Sequence, residues 1–377
     1  MRILLTGAFG NVGLSVLNEL LNRDHDVRIL EIKNRKNLRI FRKIQKDVEI
    51  IWGDITNKLD VEKAVKSRDV IIHLAAIIPP LADYQPELAE HVNVGGTLNI
   101  LESMKNQVNP PKIIFTSSVA VYGDRVNNPM IKVTDPLIPS KGDFYALTKI
   151  SAERLVKESS LEHAIFRLTY ITSINKLELD PLMFHMPLET SIETCDTRDV
   201  GLALANAVEC SEVWGRTFHI AGGKSCRITY REYLNDMMAI MGLGREFLPD
   251  EAFAKDQFHC GFMETHDSQG LLKYQNHTLE DYYDDVKKKV GPKGFFIARV
   301  KSFVKIHLLK KSEPYKRFKF FKKKIGSFTV SENKLIRRLL SRNFKKIDML
   351  ETKIEELEKV INTLYEENKK LEIITKI

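Results

Sequence analysis

The chain opens on an apolar run, Ile3, Leu4 and Leu5, in which no polar residue alternates. A strand buried on both faces of a parallel sheet has this character. Three glycines follow at G-x-x-G-x-x-G spacing, Gly7, Gly10 and Gly13. Leu14, Leu17, Leu20 and Leu21 then share one face of a helix. Further apolar runs predict strands at 26–30, 48–51, 69–74, 112–116 and 163–168, with helical stretches between them. This alternation over residues 1–165 predicts an α/β fold with a Rossmann-type, doubly wound parallel sheet.

The pattern changes after Gly291-Pro292-Lys293-Gly294. Phe296, Val300, Phe303, Val304 and Leu308 recur at helical spacing, while Arg299, Lys301, Lys305 and Lys310 take other positions. After Pro314 the run YKRFKFFKKK interleaves aromatics with cations. Nearer the C-terminus, Ile347, Leu350, Ile354, Leu357, Ile361, Leu364, Asn368 and Leu371 alternate spacings of three and four. Isoleucine at a, leucine at d and one buried asparagine predict a parallel two-stranded coiled coil, hence a homodimer through 347–371. Glu367 and Glu372 would repel across that seam. Capture of a partner's helix and packing on the chain's own body stay open as alternatives.

Composition adds three restrictions. A chain of 377 residues, 43% hydrophobic, can bury one large α/β core with additions. No apolar run reaches the roughly 18 residues of a membrane span, and the first residues show no signal-peptide pattern. Four cysteines without C-x-x-C spacing, and histidines without ligand spacing, predict a reduced, cytoplasmic protein with no disulfide framework and no metal. The net charge of +8 hides an asymmetry. Residues 287–346 carry 21 Lys/Arg against two Glu, or +19, which leaves −11 for the rest. Such a segment suits peripheral contact with the inner face of a membrane, or docking on the acidic body. Nucleic acid is the third and least supported partner.

A strand, a glycine turn and a helix in that order make a dinucleotide pyrophosphate site, because the backbone approaches the phosphates and the helix N-terminus offers free N–H groups. Glu31 lies 18 residues beyond Gly13. That is close to where a Rossmann unit places the carboxylate for a ribose 2′-hydroxyl. NAD is therefore favoured, and Lys33, Arg35 and Lys36 keep NADP open.

Six motifs in order carry a resemblance. They are Thr6-Gly7-Ala8-Phe9-Gly10-Asn11-Val12-Gly13, Gly53-Asp54-Ile55-Thr56, His73-Leu74-Ala75-Ala76, Asn93-Val94-Gly95-Gly96-Thr97, Thr116-Ser117-Ser118-Val119-Ala120-Val121-Tyr122-Gly123 and Tyr145-Ala146-Leu147-Thr148-Lys149; Arg198-Asp199-Val200 adds a late element. The chain resembles the extended short-chain dehydrogenases/reductases of the NAD-dependent epimerase/dehydratase family. The resemblance implies cofactor contacts from Gly7, Phe9, Gly10, Asn11, Val12, Gly13, Glu31, Asp54, Ile55, Leu74, Ala75, Ala76, Asn93, Ser117, Tyr145 and Lys149. It implies Tyr145 as acid/base, Lys149 as its tuner and ribose ligand, and Ser118 as a hydroxyl donor to the substrate oxygen. Tyr145 and Lys149 stand four apart in a helical stretch and so share a face. A neighbouring ammonium and an oxidised nicotinamide ring are both expected to lower the phenol pKa.

Two departures narrow the expectation. Val119 and Ala120 stand where the family's dehydratases carry acidic residues, which disfavours water elimination. Arg167-Leu168-Thr169-Tyr170 replaces the family's Arg-Pro-x-Asn run, and the short stretch from Arg167 to Asp199 leaves room for only a small cap. The resulting division is 1–225 as an NAD(P)-binding Rossmann domain, with 170–197 contributing to a substrate cap. Residues 226–290 complete the cap, 291–346 form a basic amphipathic segment, and 347–377 a coiled-coil helix. Arg198 and Arg227 are candidates for an anionic substrate or for surface salt bridges. The expected function is an NAD(P)-dependent epimerase or oxidoreductase working by hydride transfer at a secondary alcohol or ketone of a small molecule, foremost a nucleotide-linked sugar. The alternative is a scaffold protein that retains a dinucleotide site and works through its tail.

Overall fold

The uninterrupted apolar runs form the centre of a seven-stranded parallel sheet. Its strands are β1 (Arg2–Thr6), β2 (Asp26–Glu31), β3 (Glu49–Trp52), β4 (Val70–His73), β5 (Lys112–Ser118), β6 (His163–Leu168) and β7 (Arg216–Ile220). They lie in the order β7-β6-β5-β4-β1-β2-β3, so the chain reverses direction across the sheet between β1 and β4. Leu4 sits opposite Arg28 of β2 on one side and Ile71 of β4 on the other. Ligands of such sheets bind at the carboxyl ends of the strands where the order reverses. The computed structural model describes residues 1–175, 177, 181–255 and 258–326, the last six by backbone alone.

β7 has no counterpart among the strands that periodicity predicts. Its segment RTFHI alternates polar and apolar and is short; pairing with β6 makes it a strand. Phe218 meets Phe166 in register, and the two rings stack at 5.6 Å.

The helix Asn11–Leu21 buries Val16, Leu17 and Leu20 against Val200, Ala203, Leu204 and Ala207 of the helix Thr197–Glu209. Gly201 permits the approach, since a Cβ there would lie 2.7 Å from the Ser15 carbonyl carbon. This clamp holds the helix whose N-terminus closes the glycine turn.

Past the sheet, Phe184, Met186, Leu188 and Ile192 share a second core with Tyr230, Tyr233, Leu234, Met237 and Val286. A three-stranded sheet of Tyr170–Thr172, Ser191–Asp196 and Arg227–Thr229 backs it. Glu193 ties this region together. Its buried carboxylate accepts from Arg227 Nε and from the Gly223 and Met263 amides, each at 2.9 Å.

The helix Leu279–Val290 starts on a Thr278/Asp281 capping box and ends at Gly291, whose φ is +49°. Helices Lys293–Arg299, Lys301–Lys311 and Glu313–Gly326 follow. Met1–Tyr315 form one compact unit, and the chain from Lys316 belongs to a second. The heptad segment 347–377 lies outside the described residues. No helix among the described residues is long and apolar enough to cross a membrane. All four cysteines are free thiols.

Candidate active site

The glycine turn leaves β1 at Gly7, whose φ is +72°. A Cβ at Gly7 would stand 2.8 Å from the Ala75 amide nitrogen, and one at Gly13 would overlap the Gly7 carbonyl oxygen. The Gly10 amide donates to that same oxygen at 3.1 Å. Helix Asn11–Leu21 begins with Gly10 as its N-cap and has no side-chain cap. Phe9, Asn11 and Val12 thus surround an uncapped helix start, which attracts an anion.

Glu31, at the end of β2, reaches this turn. Its Oε1 accepts from the Phe9 amide at 2.9 Å and its Oε2 from Asn37 Nδ2 at 3.2 Å. Burial pushes the Glu31 carboxyl above its ordinary pKa. Lys33 is exposed on the following loop, and Arg35 and Lys36 are exposed in the first turn of the helix Arg35–Ile44. Asp54, after β3, uses Oδ1 to accept from the Thr56 amide and hydroxyl, both at 2.9 Å. The Ile55 side chain packs into the core with Val61 and Ile100, and its carbonyl accepts from Asn99.

Beyond β4, Leu74, Ala75 and Ala76 are held by a one-way chain of hydrogen bonds. Thr97 Oγ1 donates to the Asn93 carbonyl at 2.6 Å, so it accepts from His73 Nε2 at 3.0 Å. His73 Nδ1 then accepts from Thr6 Oγ1 at 2.8 Å, and that oxygen accepts from the Ala75 amide at 3.3 Å. Every polar atom of the Asn93 side chain is engaged inside the protein. Its Oδ1 accepts from the Ile77 amide, while Nδ2 donates to the Ile77 carbonyl and Thr148 Oγ1, at 2.7 to 2.9 Å. Asn93 therefore joins the β4 loop to the helix of Tyr145 rather than facing a ligand.

Ser117 lies buried on β5, and Ser118 ends that strand. Ser118 Oγ accepts from the Ala120 amide at 3.2 Å and is hydrogen-bonded to the Tyr145 phenol. Tyr145 and Lys149 project from the helix Phe144–Glu158 and are both buried. Lys149 Nζ donates to the Thr116 carbonyl at 2.8 Å and lies 6.0 Å from the Tyr145 ring centroid. Burial lowers the Lys149 ammonium to about 8. Burial also raises the Tyr145 phenol well above its ordinary value, against the lowering by Ser118. In the protein alone desolvation dominates at this phenol, and the Asp143 charge adds to the rise.

A second cluster surrounds the start of the same helix. Asp143 caps it, Oδ1 accepting from the Ala146 amide at 2.9 Å, and His259 Nδ1 meets Asp143 Oδ2 at 2.5 Å. Asp83 accepts from the Tyr145 amide, and burial together with the Asp143 charge raises its pKa. An aspartate just ahead of a helical pattern is an N-cap signature legible in the chain. His259 is 116 residues away from Asp143, and no local signal links them. The cationic candidates are already paired: Arg198 bridges Asp196 and Asp285, and Arg227 meets Glu193.

Behind Ser118, Arg167 Nη1 donates to the Tyr122 oxygen at 2.5 Å, and Tyr122 pairs with His219 Nε2 at 2.6 Å. Burial first, then the Arg167 charge, lowers His219 to about 4, and burial lowers His73 to about 3. Both imidazoles stay neutral in the folded chain, whereas the unfolded chain protonates them near pH 6.5. The unfolded state therefore binds more protons as pH drops, and stability falls below about pH 6.5. From pH 7 to pH 5 the two rings together are expected to remove about 4 kcal/mol. Urea midpoints at the two pH values check this, and His219→Gln should remove about half of the dependence.

Residues 4–164 match the model of the 3-beta hydroxysteroid dehydrogenase/isomerase family. That match covers less than half of the chain, and it agrees with the resemblance to the extended short-chain dehydrogenases/reductases. The chain is similar to a D-erythronate dehydrogenase of Cupriavidus necator, 28% identical over 167 residues that cover 42% of this chain and 51% of the relative. It spans about half the length of the curated relatives it matches. Among solved structures, a family protein of Agrobacterium tumefaciens with bound NAD superimposes with a TM-score of 0.62 at 18% identity, covering 80% of this chain and 99% of that one. The UDP-glucose 4-epimerase of Thermotoga maritima, solved with UDP-glucose, gives 0.65 at 18% identity, covering 76% and 98%. These structures share the fold of Met1–Tyr315.

Proposed function

We propose that the chain is an NAD-dependent dehydrogenase or epimerase that transfers hydride at a secondary alcohol or ketone. The observation that carries this reading is the Ser118–Tyr145–Lys149 group at the carboxyl end of β5, with Tyr145 and Lys149 buried and Ser118 half-buried. It is linked through Thr116, His73 and Thr6 to the glycine turn. The turn fits a dinucleotide: Gly7 and Gly13 sit against backbone where no Cβ has room, which keeps the turn tight, and Asn11–Leu21 offers an uncapped start. Gly10, Val12 and Phe9 would border the pyrophosphate and Glu31 would take a ribose hydroxyl. Asp54, Ile55, Leu74, Ala75, Ala76 and Ser117 would line the rest. The carboxylate of Glu31 disfavours a 2′-phosphate, so NAD is preferred over NADP.

A bound NAD supplies the hydride acceptor and, when oxidised, a positive ring beside the phenol. The chain's own residues handle the proton. Ser118 Oγ donates a hydrogen bond to the substrate oxygen, and Tyr145 Oη exchanges the hydroxyl proton with it. Lys149, held at the Thr116 carbonyl, supplies positive charge that favours the phenolate in a site where burial opposes it. Asn93 acts as a positioning residue for the helix. A nucleotide-linked sugar is the substrate class we favour, with the Thermotoga maritima enzyme as support. A homodimer through 347–371 belongs to the same proposal, as does a cytoplasmic, reducing setting that suits four free thiols.

Calorimetric titration with NAD, NADH, NADP and NADPH, followed by a panel of nucleotide sugars, tests the reading. Tight NAD(H) binding, at least about tenfold above NADP(H), is expected, and Glu31→Ala should shrink that preference. An isomerised sugar without net absorbance change identifies an epimerase, and net cofactor turnover a dehydrogenase. No binding of any nicotinamide cofactor would sink the proposal.

A further inference from the structure

The helical segment after Gly291 has two apolar faces. Ile297, Val304, Leu308 and Leu309 pack on the second core, with Leu308 2% exposed, and Ser312 Oγ donates to the Ala252 carbonyl at 2.6 Å. That face is covered by the protein. Phe295, Phe296, Val300, Phe303 and Ile306 remain outward, between 51% and 74% exposed. The apolar set that periodicity had grouped together is thus divided between two surfaces. Single exposed apolar side chains are ordinary, but five within twelve residues form a patch that calls for a partner.

Charge identifies the partner. Exposed Lys293, Arg299, Lys301, Lys310 and Lys311 surround the patch, and no Asp or Glu occurs from Gly291 to Ser312. The Arg299 guanidinium lies over the Phe295 ring at 4.4 Å. Twelve more Lys/Arg follow between residues 316 and 346. We infer that Phe295–Lys311 is a docking surface for an anionic lipid bilayer, with phenylalanines entering the acyl boundary and cations at the headgroups. A symmetric contact with the same face of a second copy would bring like charges together. Nucleic acid would leave Val300 and Ile306, which have no ring to stack on a base, without a role. This inference is independent of the proposed chemistry.

The test uses the full chain in co-sedimentation with vesicles of phosphatidylcholine alone and of phosphatidylcholine mixed with phosphatidylglycerol. Binding to the anionic vesicles is expected to be at least about tenfold tighter, falling with salt. The double variant Phe296→Ser/Phe303→Ser should weaken it about tenfold or more. Both rings are exposed, so the variant should keep its thermal midpoint and its NAD affinity. Equal binding to neutral and anionic vesicles overturns the inference. So does a double variant that binds anionic vesicles undiminished, since charge alone would then act. Tighter binding to RNA that the same substitutions weaken, or self-association that they abolish, would assign the face to another partner and overturn it too.

Discussion

Tyr145→Phe is expected to lower turnover by about 10²–10⁴-fold with little change in NAD affinity. The substitution removes only the phenol oxygen. The ring stays among Ala82, Ala89, Ala120 and Ala146, so the helix Phe144–Glu158 should keep its place. Steady-state kinetics on the identified substrate, with calorimetry for NAD and a thermal melt for integrity, separate chemistry from folding. A variant within about fivefold of the parent would move the proton to another group. The Asp143–His259 pair at the start of the same helix would be the first to substitute next.

The largest expected effect on stability lies behind the site, at Glu153 and Arg167. Arg167 Nε and Nη2 donate to the two Glu153 oxygens at 2.9 and 2.7 Å, with side-chain exposures of 3% and 1%. Burial alone would raise the Glu153 carboxyl, but the paired guanidinium outweighs it and holds the pKa below its ordinary value. Glu153→Ala would leave a buried guanidinium with no counter-charge, at about 3–5 kcal/mol. Glu153→Leu combined with Arg167→Met should recover much of that loss, because a buried pair replaced by apolar groups of similar size is often neutral. Urea midpoints of the single and double variants check both statements. Glu153 is also one turn from Lys149 on the same helix, so the single variant should lower turnover along with stability.

The tail and the site call for different experiments. Vesicle binding can fail while hydride transfer survives, and the reverse, because the outward phenylalanines and Tyr145 lie on separate elements of the chain. Chemistry on the heptad segment is tested by neither; its dimer prediction is checked by the oligomeric state of the full chain against one lacking 347–377.

By itself the sequence determined the parts whose signal is local. β1, β4 and β5 carry continuous apolar runs, and a run without polar alternation can be buried only between two layers. Gly7, Gly10 and Gly13 were legible because the turn needs residues without Cβ, and Tyr145 and Lys149 because a four-residue spacing puts two side chains on one helix face. Tertiary structure alone decided the rest. β7 exists because β6 offers it an edge, Asn93 and Ile55 turn inward, and His259 reaches Asp143 across 116 residues. It also buried the Tyr145 phenol, which raises its pKa, and divided Val304 and Leu308 from Phe296 and Phe303. Desolvation and the choice of buried face depend on what the folded chain brings from elsewhere, and helical spacing carries no record of the neighbour each face will meet.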